Sequence, residues 1–279
     1  FDEPLTSKSK DEVGELTANF NSMTRQLKER LELKEAIGVA SEVQQNLLPQ
    51  EGFKAEGVEI EGVILYCDET GGDYYDLLPF PKKPGKVGVV VGDVVGHGIG
   101  AALLMASVRA SLRTSSNYYD NPASVIKSVN DIICHDTSKT GSFITLFYLV
   151  VDWVSQKVEW VRCGHDPAVM FSPETGEFEE LCGEGLALGF DNEFDYQEHL
   201  IEFGDSRHII LIISDGAWEV ENRKGEKIGK QRLNQLLVAN HELPSKQILD
   251  LLTNEIDRFR GDIAPKDDIT ITIIKLNYE

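Results

Sequence analysis

The residues of this sequence with the clearest chemical potential are aspartates that flank apolar runs. Four acidic motifs lie beside predicted strands or in the turns after them: Gly-Gly-Asp-Tyr-Tyr-Asp at 71–76, Gly-Asp-Val at 92–94, Ser-Asp-Gly at 214–216 and Lys-Asp-Asp-Ile-Thr at 266–270. Strand ends hold side chains with little conformational freedom. Carboxylates that meet in one cleft repel one another, and hard divalent cations relieve that repulsion. The pattern therefore predicts a centre that binds Mg²⁺ or Mn²⁺.

Two such ions would explain hydrolytic chemistry without a cysteine or histidine nucleophile. A pair of divalent ions polarises a phosphoryl oxygen and lowers the pKa of a bridging water, which produces a nucleophile near neutral pH. Each aspartate alone is more typical of a helix cap or a turn. The combination of four motifs, three of them with adjacent glycines, favours the metal centre.

The motif around Asp93 leaves two interpretations open. Val89 to Val91 predict the end of a buried strand, and the apolar pattern at 101–112 predicts a helix. Between them, three glycines surround Asp93 and His97, and glycine lets a backbone turn tightly and approach a ligand closely. Asp93 either binds a metal or phosphate there, or caps the helix that follows.

The composition narrows the class of protein. The 279 residues include 47 acidic and 27 basic side chains, a net charge of −20, and 41% are hydrophobic. This charge excludes nucleic acid as a partner and permits carboxylate-lined cation sites. The four cysteines have no CxxC spacing, so they predict neither a zinc site nor a disulfide framework. No apolar run approaches the roughly 20 residues that a membrane crossing requires, and we expect a soluble fragment.

The N-terminal region predicts a helix over residues 11–48 that needs a partner helix. Its first apolar positions are spaced three, four, three and four residues apart, as in a heptad seam: Val13, Leu16, Phe20, Met23 and Leu27. This spacing predicts a parallel coiled coil and a homodimer. The seam changes phase near Arg30, which is typical of a local change in winding. The second half is interpreted as an amphipathic helix docked on its own domain.

The remainder of the chain predicts a layered α+β domain. Pro49 and two glycines mark a boundary near residue 50. Beyond it, apolar runs predict strands at 58–66, 87–91, 143–151, 157–162, 209–213 and 269–276, and helices are predicted at 101–114, 122–134, 230–239 and 245–259. Strands in adjacent pairs, interrupted by pairs of helices, favour an α+β sandwich over a doubly wound parallel sheet.

The motifs in this order resemble a known family. The acidic motifs, together with Gly-Asp-Val-Val-Gly-His-Gly at 92–98, Cys-Gly-His-Asp-Pro-Ala at 163–168 and Ser-Asp-Gly-Ala-Trp-Glu at 214–219, resemble the SpoIIE/RsbU-type branch of the PPM metal-dependent serine/threonine phosphatases. The resemblance covers about residues 38–276. It implies an αββα sandwich of two mainly antiparallel sheets flanked by helices, with a two-metal centre in a cleft at one edge.

The resemblance also implies roles for individual residues. Asp93 corresponds to the carboxylate that bridges both metals, and the backbone carbonyl of Val94 serves one of them. The other implied ligands are Asp215 and Asp267 for the first metal and Asp73 beside the second, with Asp268 the less certain member of its pair. Asp93 and Asp215 would act on the substrate through metal-bound water.

Histidine and arginine roles remain open. His97 is either a general acid for the leaving serine oxygen or a structural residue at the helix start, and His165 is interpreted as structural, joining a loop to the sheet. The wider superfamily uses an arginine near the first motif to hold phosphate, but this sequence has no arginine between Arg30 and Arg109. Phosphate binding is therefore expected to depend on the metals and other groups.

A second resemblance concerns the N-terminus. Asp-Glu-Val-Gly-Glu-Leu at 11–16 and Phe-Asn-Ser-Met at 20–23 resemble the second helix of a HAMP domain, which links transmembrane receptors to cytoplasmic output domains. The expected organisation is the C-terminal part of a HAMP domain and coiled coil over 1–34, a linker or switch helix over 35–50, and the phosphatase domain over 51–279. Because the chain also starts without methionine, we expect a fragment from the cytoplasmic side of a membrane receptor whose membrane span lies upstream.

The expected function is thus a phosphoserine/phosphothreonine protein phosphatase that acts as a receptor's output. The resemblance implies a phosphorylated STAS-domain anti-sigma-factor antagonist as substrate, and the phase slip near Arg30 with residues 35–48 is the hypothetical switch. Two alternatives stay open. The chain could be a catalytically silent dimeric adaptor, or a hydrolase of small phosphoesters.

Overall fold

A computed structural model describes residues 5–6 and 11–278 of the chain. It divides the chain into two compact units, residues 1–45 and residues 46–279. In the described part of the chain, no helix combines the length and apolar character that crossing a membrane requires.

The first unit consists mainly of one long helix, α1 (Glu12–Leu47), which continues without a break through the predicted phase slip near Arg30. The backbone of Leu5, which precedes the helix, exchanges two hydrogen bonds with the side chain of Asn21 in α1, at 2.9 and 2.8 Å. The five heptad residues are all exposed, between 43 and 69%. The coiled coil and the HAMP segment stay predictions, and the HAMP segment includes residues 1–4 and 7–10, which lie outside the described residues.

The second unit contains eleven described strands. Their bounds are β1 Phe53–Ala55, β2 Val58–Leu65, β3 Tyr74–Pro79, β4 Lys86–Val94, β5 Ile144–Asp152, β6 Lys157–Cys163, β7 Ala168–Ser172, β8 Glu177–Leu181, β9 His199–Glu202, β10 His208–Ile213 and β11 Ile269–Leu276. One sheet has the order β1-β2-β11-β10-β7-β8 and the other β3-β4-β5-β6-β9. Every strand pair is antiparallel.

The two sheets pack face to face around a shared apolar core. Val89 and Phe147 of the five-stranded sheet meet Ile210 and Ile274 of the six-stranded sheet, and all four are fully buried. Alternation along each strand sends one set of side chains to this core and the other set outward. The outward set must be covered by helices.

Helices cover both outer faces. α2 (Ile99–Ser115) and α3 (Pro122–Thr137) pack on the five-stranded sheet. α4 (Asp215–Trp218), α5 (Lys230–Asn240) and α6 (Ser245–Arg260) pack on the six-stranded sheet. The predicted αββα sandwich of antiparallel sheets is confirmed, with helix ends within a few residues of those expected.

Sequence patterns missed five of the described strands, β1, β3, β7, β8 and β9, and for three of them the physical reason is identifiable. β3 carries an aspartate in its centre, β8 is mostly acidic and exposed, and β1 is only three residues long, just after the expected boundary near residue 50. β4 runs on to Val94, three residues beyond the predicted end at Val91. Asp93 therefore belongs to a strand and not to the loop after it.

Candidate active site

The five-stranded sheet positions the first two aspartates. In the β3–β4 ladder Tyr74 pairs with Gly92, so Asp73, directly before β3, lies beside Asp93 of β4. Asp73 is only 1% exposed, while Asp93 is half-buried at the end of its strand. Two neighbouring strands thus bring two carboxylates to one edge of the sheet.

Asp93 does not cap the following helix. The N-cap position of α2 is Gly98, and no side chain makes a capping hydrogen bond there. Asp93 instead stands opposite Thr145 in the β4–β5 ladder. The capping interpretation of Asp93 is therefore wrong, and its place on a rigid strand suits a ligand.

The six-stranded sheet positions the other carboxylates. The backbone N–H of Ser214 donates to the carbonyl of Thr270 at 3.0 Å, and the N–H of Thr270 donates to Ser214 Oγ at 2.9 Å. This pairing fixes Asp215, one residue further on, beside the turn that contains Asp267. A Cβ on Gly216 would lie 1.9 Å from the carbonyl oxygen of Asp268, so only glycine allows this approach.

The first and last acidic motifs are in direct contact. Asp268 is buried and accepts hydrogen bonds from the backbone N–H groups of Cys67 at 2.9 Å, Gly72 at 3.0 Å and Asp73 at 3.4 Å. The hydroxyl of Thr270 donates to Asp73 Oδ2. These bonds join the loop before β3 to the start of β11, and they give Asp268 a loop-holding function.

A side chain at position 72 would cover the Val94 carbonyl. A Cβ built on Gly72 lies 2.6 Å from the Val94 oxygen and 3.2 Å from the Gly96 oxygen. The glycine keeps both carbonyls accessible next to Asp73. This small cradle of backbone oxygens fits the predicted use of the Val94 carbonyl as a metal ligand.

The pKa shifts of the aspartates are consistent with the proximity of the acidic motifs. Burial raises the pKa of Asp93 to about 7, with further increases from Asp215, Asp267 and Asp268. Burial and then Asp93 raise the pKa of Asp73 well above its usual value. Burial and then Asp267 raise the pKa of Asp215. The charged groups that raise the pKa of Asp93 are carboxylates, so bound cations would relieve the repulsion within this cluster.

The oxygen atoms of the aspartates and of the Val94 carbonyl are chemically suited to bind a hard divalent cation. It offers carboxylate oxygens and a backbone carbonyl, which are the ligands of Mg²⁺ and Mn²⁺. Among residues 5–6 and 11–278, no three Asp, Glu, His or Cys side chains already stand close enough together to hold one ion. The fit therefore depends on the charge and oxygen chemistry of the set, and not on a preformed cage.

A cavity of about 120 Å³ opens beside the two exposed carboxylates, Asp215 and Asp267. Two cations line it, and both have partners in the protein. Lys266 Nζ lies 2.7 Å from Glu221 Oε2. Arg260 donates to Asp257 Oδ1 at 2.8 Å and to the carbonyl of Ile263 at 3.0 Å.

The arginines that follow the central motif serve the fold. Arg113 makes a bidentate ion pair with Asp76, with Nε at 2.8 Å and Nη2 at 2.6 Å, and Arg109 Nε lies 3.7 Å away. Tyr74 donates its hydroxyl to the same carboxylate at 2.8 Å. Sequence reasoning missed this pair. The sequence did contain a signal for it. Side chains alternate along a strand, so Asp76 of β3 shares a face with Tyr74 and Leu78, which pack toward the helices.

His97 lies on the exposed loop between β4 and α2. Its Nδ1 is 3.2 Å from Asp68 Oδ2, and 78% of its side chain is exposed. The helix start is built by glycines, since Gly96 and Gly98 have φ of 89° and 80°. The general-acid role of His97 stays a prediction.

His165 has the structural contacts that the sequence analysis expected. It is buried, its Nδ1 lies 3.1 Å from Thr145 Oγ1, and its carbonyl accepts from Arg162 Nη1 at 2.9 Å. Burial lowers the pKa of His165 to about 4, so the ring is neutral at pH 7. Next to it, the carboxylate of Asp166 pairs with Lys230 at 2.8 Å.

Known proteins match this chain in sequence and in fold. The phosphoserine phosphatase RsbU of Bacillus subtilis (strain 168) is 28% identical over 251 residues, 88% of this chain and 71% of RsbU. The SiaA-PP2C domain of Pseudomonas aeruginosa has a TM-score of 0.74 at 19% identity, over 90% of this chain and 99% of that one. RsbX, solved in complex with magnesium, has a TM-score of 0.60 at 16% identity, over 81% and 98%.

The two solved structures establish the likeness of fold. A family model described as Stage II sporulation protein E (SpoIIE) matches residues 83–277, which is most of the chain and includes the aspartates of three acidic motifs. The chain belongs to the SpoIIE family of PP2C-type protein serine/threonine phosphatases.

Proposed function

We propose that this chain is a divalent-metal-dependent phosphatase that removes phosphate from phosphoserine or phosphothreonine on a partner protein. The observation that supports this most directly is the convergence of Asp73, Asp93, Asp215 and Asp267 from two different sheets on one edge of the sandwich. Burial first, and the neighbouring carboxylates after it, raise the pKa of Asp73, Asp93 and Asp215 there. A phosphate ester could not approach such a cluster unless cations balanced it.

Two Mg²⁺ or Mn²⁺ ions would be held by these four aspartates and the Val94 carbonyl, with Asp268 as a further, less certain ligand. When bound, the ions supply Lewis acidity and water activation. The chain's own contribution is placement. β4 holds Asp93 rigidly, Thr270 orients Asp73, and the loop bonds of Asp268 keep the edges of both sheets together.

The partner we propose is a phosphorylated STAS-domain anti-sigma-factor antagonist. Support comes from the motif resemblance to RsbU-type phosphatases and from the similarity to RsbU itself, whose name describes a phosphoserine phosphatase. We further propose that the chain is a homodimer through its N-terminal helices and forms the cytoplasmic output of a membrane receptor. The exposed heptad residues of α1 support the dimer, because an apolar seam of this kind is stabilised by a second helix.

The switch hypothesis assigns regulation to α1. In this hypothesis, the segment around the phase slip at Arg30 and along residues 35–48 rotates or changes its helix partner. That movement would reposition the strands that carry the proposed metal ligands. Variants that restore one continuous heptad register over residues 27–47 should change basal activity. Unchanged activity across several registers would contradict the hypothesis.

The experiment that tests the function measures Mn²⁺-dependent phosphate release from a phosphoserine peptide and from a phosphorylated STAS-domain protein. Wild type is compared with Asp93→Asn. Asp131→Asn is the matched control, since it removes one exposed carboxylate from α3, where Asp131 pairs with Lys127 at the surface. We expect activity that requires metal, disappears in Asp93→Asn and persists in Asp131→Asn.

Other outcomes would identify the alternatives. Hydrolysis of p-nitrophenyl phosphate but of no phosphoprotein would indicate a small-phosphoester hydrolase. Inactivity with metal bound would indicate either a silent adaptor or an inhibited state. Deletion of residues 1–34 separates those two, because only an inhibited enzyme would gain activity.

A further inference from the structure

One segment beside the site contains no Asp, Glu, Lys or Arg. Residues 94–108 contain no Asp, Glu, Lys or Arg, in a chain that has 74 such residues among 279. The run begins directly after Asp93 and covers the loop to α2 and the first half of that helix. Several of its apolar side chains are exposed: Val95 at 43%, Ile99 at 42% and Leu103 at 67%.

These exposed residues are not part of the core. α2 already presents Ala101, Met105 and Val108 to the five-stranded sheet, and all three are buried. Ile99 and Leu103 lie four residues apart, so they share a different face of the helix. Neither residue belongs to the apolar core between α2 and the sheet.

The exposed apolar surface extends to a second loop. The backbone N–H of Val95 donates to the carbonyl of Phe143 at 3.0 Å, and the Phe143 ring lies 4.9 Å from the ring of Phe190. Phe190 is 60% exposed. We call Val95, Ile99, Leu103 and Phe190 the rim patch. Single exposed apolar residues are ordinary, but a group of them beside a reaction centre is typical of a binding surface.

The part of the site around the cavity has a different character. Beside Asp215 and Asp267, the cavity is lined by the further carboxylates Glu219 and Glu221 and by two cations, Arg260 and Lys266, which are already paired within the protein. A phosphorylated side chain carries about −1.5 to −2 charges, and this protein carries −20, so the two repel. An anionic phosphoprotein therefore meets less repulsion when it approaches across the uncharged rim patch.

We propose that the rim patch is the docking surface for the phosphoprotein substrate, and that it binds an apolar, uncharged surface of the partner next to the phosphoserine. This inference rests on the proposed function, because it identifies the partner by the phosphate that must reach Asp93. Contact at the patch raises the affinity for the whole protein. A small phosphoester is too small to reach it.

The test compares the full chain with Leu103→Gln and Ile99→Gln. The control is Val154→Gln. Val154 is also apolar and exposed (73%), but it lies in the turn after the end of β5, whereas Asp93 pairs with Thr145 at the start of that strand, so Val154 is far along the strand from the site. The substrates are a phosphorylated STAS-domain protein and p-nitrophenyl phosphate, both with Mn²⁺. Binding of the phosphoprotein is also measured directly, in the Asp93→Asn background, so that turnover is not needed.

We expect each rim variant to weaken binding and to raise KM for the phosphoprotein by about 5- to 30-fold, as for a typical central interface residue. The kcat and the hydrolysis of p-nitrophenyl phosphate should stay unchanged, and Val154→Gln should match wild type. Equal loss on both substrates would overturn docking in favour of a structural effect. An unchanged KM with an altered oligomeric state would overturn it in favour of a contact between two copies of this chain.

The direct binding measurement separates this inference from the proposed function. Binding that weakens in the rim variants, without any turnover by wild type, would support docking while contradicting the phosphatase proposal. Turnover of the phosphoprotein with equal binding by all variants would support the phosphatase proposal and contradict docking at the rim patch. Absence of binding by the parent chain would overturn the docking proposal outright.

Discussion

The backbone N–H of Gly72 donates to Asp268 Oδ2 at 3.0 Å, across 196 residues of sequence. This bond joins the first acidic motif to the last. Asp267, the neighbour of Asp268, is instead exposed and raises the pKa of Asp93 and Asp215. Two adjacent aspartates therefore have different functions, because the turn before β11 directs one into the protein and the other toward the cleft.

This difference predicts opposite results for two matched substitutions. Asp268→Asn turns an amide N–H₂ toward backbone donors and leaves at least one buried N–H unpaired, which should cost about 1–3 kcal/mol of unfolding free energy. Asp267→Asn should not lower stability in EDTA, because it removes a charge that repels Asp93 and Asp215, but it should abolish phosphatase activity. Urea denaturation in EDTA and phosphate release with Mn²⁺ measure the two effects. Equal stability of the two variants would contradict the loop-holding function of Asp268.

A second prediction concerns the charge of the cluster. The pKa of Asp93 is raised from 3.8 to about 7, so the stability it contributes is present below about pH 4 and is lost as pH rises through 7. In EDTA at pH 8, Asp93→Asn should therefore melt several degrees above wild type. With Mn²⁺ added the order should reverse, because only wild type retains the ligand.

The control for this prediction is the same comparison at pH 5, measured by thermal denaturation in EDTA. There Asp93 is mostly protonated in the folded protein, and the advantage of the asparagine should shrink. An Asp93→Asn variant that is less stable than wild type in EDTA at both pH values would contradict the repulsion argument.

Sequence patterns located Asp93, Asp215 and Asp267 because each borders or ends a long run of β-branched residues. Their convergence could not be read from periodicity, since it depends on which strand edges meet in the sandwich. The loop bonds of Asp268 and the pairing of Ser214 with Thr270 were invisible for the same reason. These contacts join residues far apart in the chain and leave no local signal.

β3 illustrates a different limit of sequence reasoning. An aspartate in the middle of an apolar strand is unfavourable by local rules, because a buried unpaired charge is costly. The strand forms because Arg113, 37 residues away, pairs with Asp76, which is fully buried. A local pattern cannot include a partner on another element.

The third prediction tests that buried pair. Arg113→Met removes the bidentate partner of Asp76 and should destabilise the protein by about 3 kcal/mol, because a buried charge loses most of its compensation. Arg109, at 3.7 Å, limits the loss. Its own substitution, Arg109→Met, should cost less. Urea denaturation in EDTA measures both.

A double substitution provides the control. Asp76→Leu combined with Arg113→Met removes both charges, and replacing a buried ion pair by apolar residues is often neutral or stabilising. The double variant should therefore recover part of the stability lost in Arg113→Met. If the two single effects simply add, the ion pair is not coupled and the argument fails.

The last prediction concerns His165. Burial holds its pKa at about 4 in the folded protein, below the ordinary value of 6.5, so protonation favours the unfolded chain. The stability that it contributes is complete above about pH 6.5 and is lost as pH falls toward 4. Over that interval wild type should lose roughly 3 kcal/mol more than His165→Gln. Because glutamine does not titrate, the two curves of unfolding free energy against pH, both measured in EDTA, should converge as the solution becomes acidic. Parallel curves would mean that His165 accepts a proton in the folded state, which its burial against Thr145 argues against.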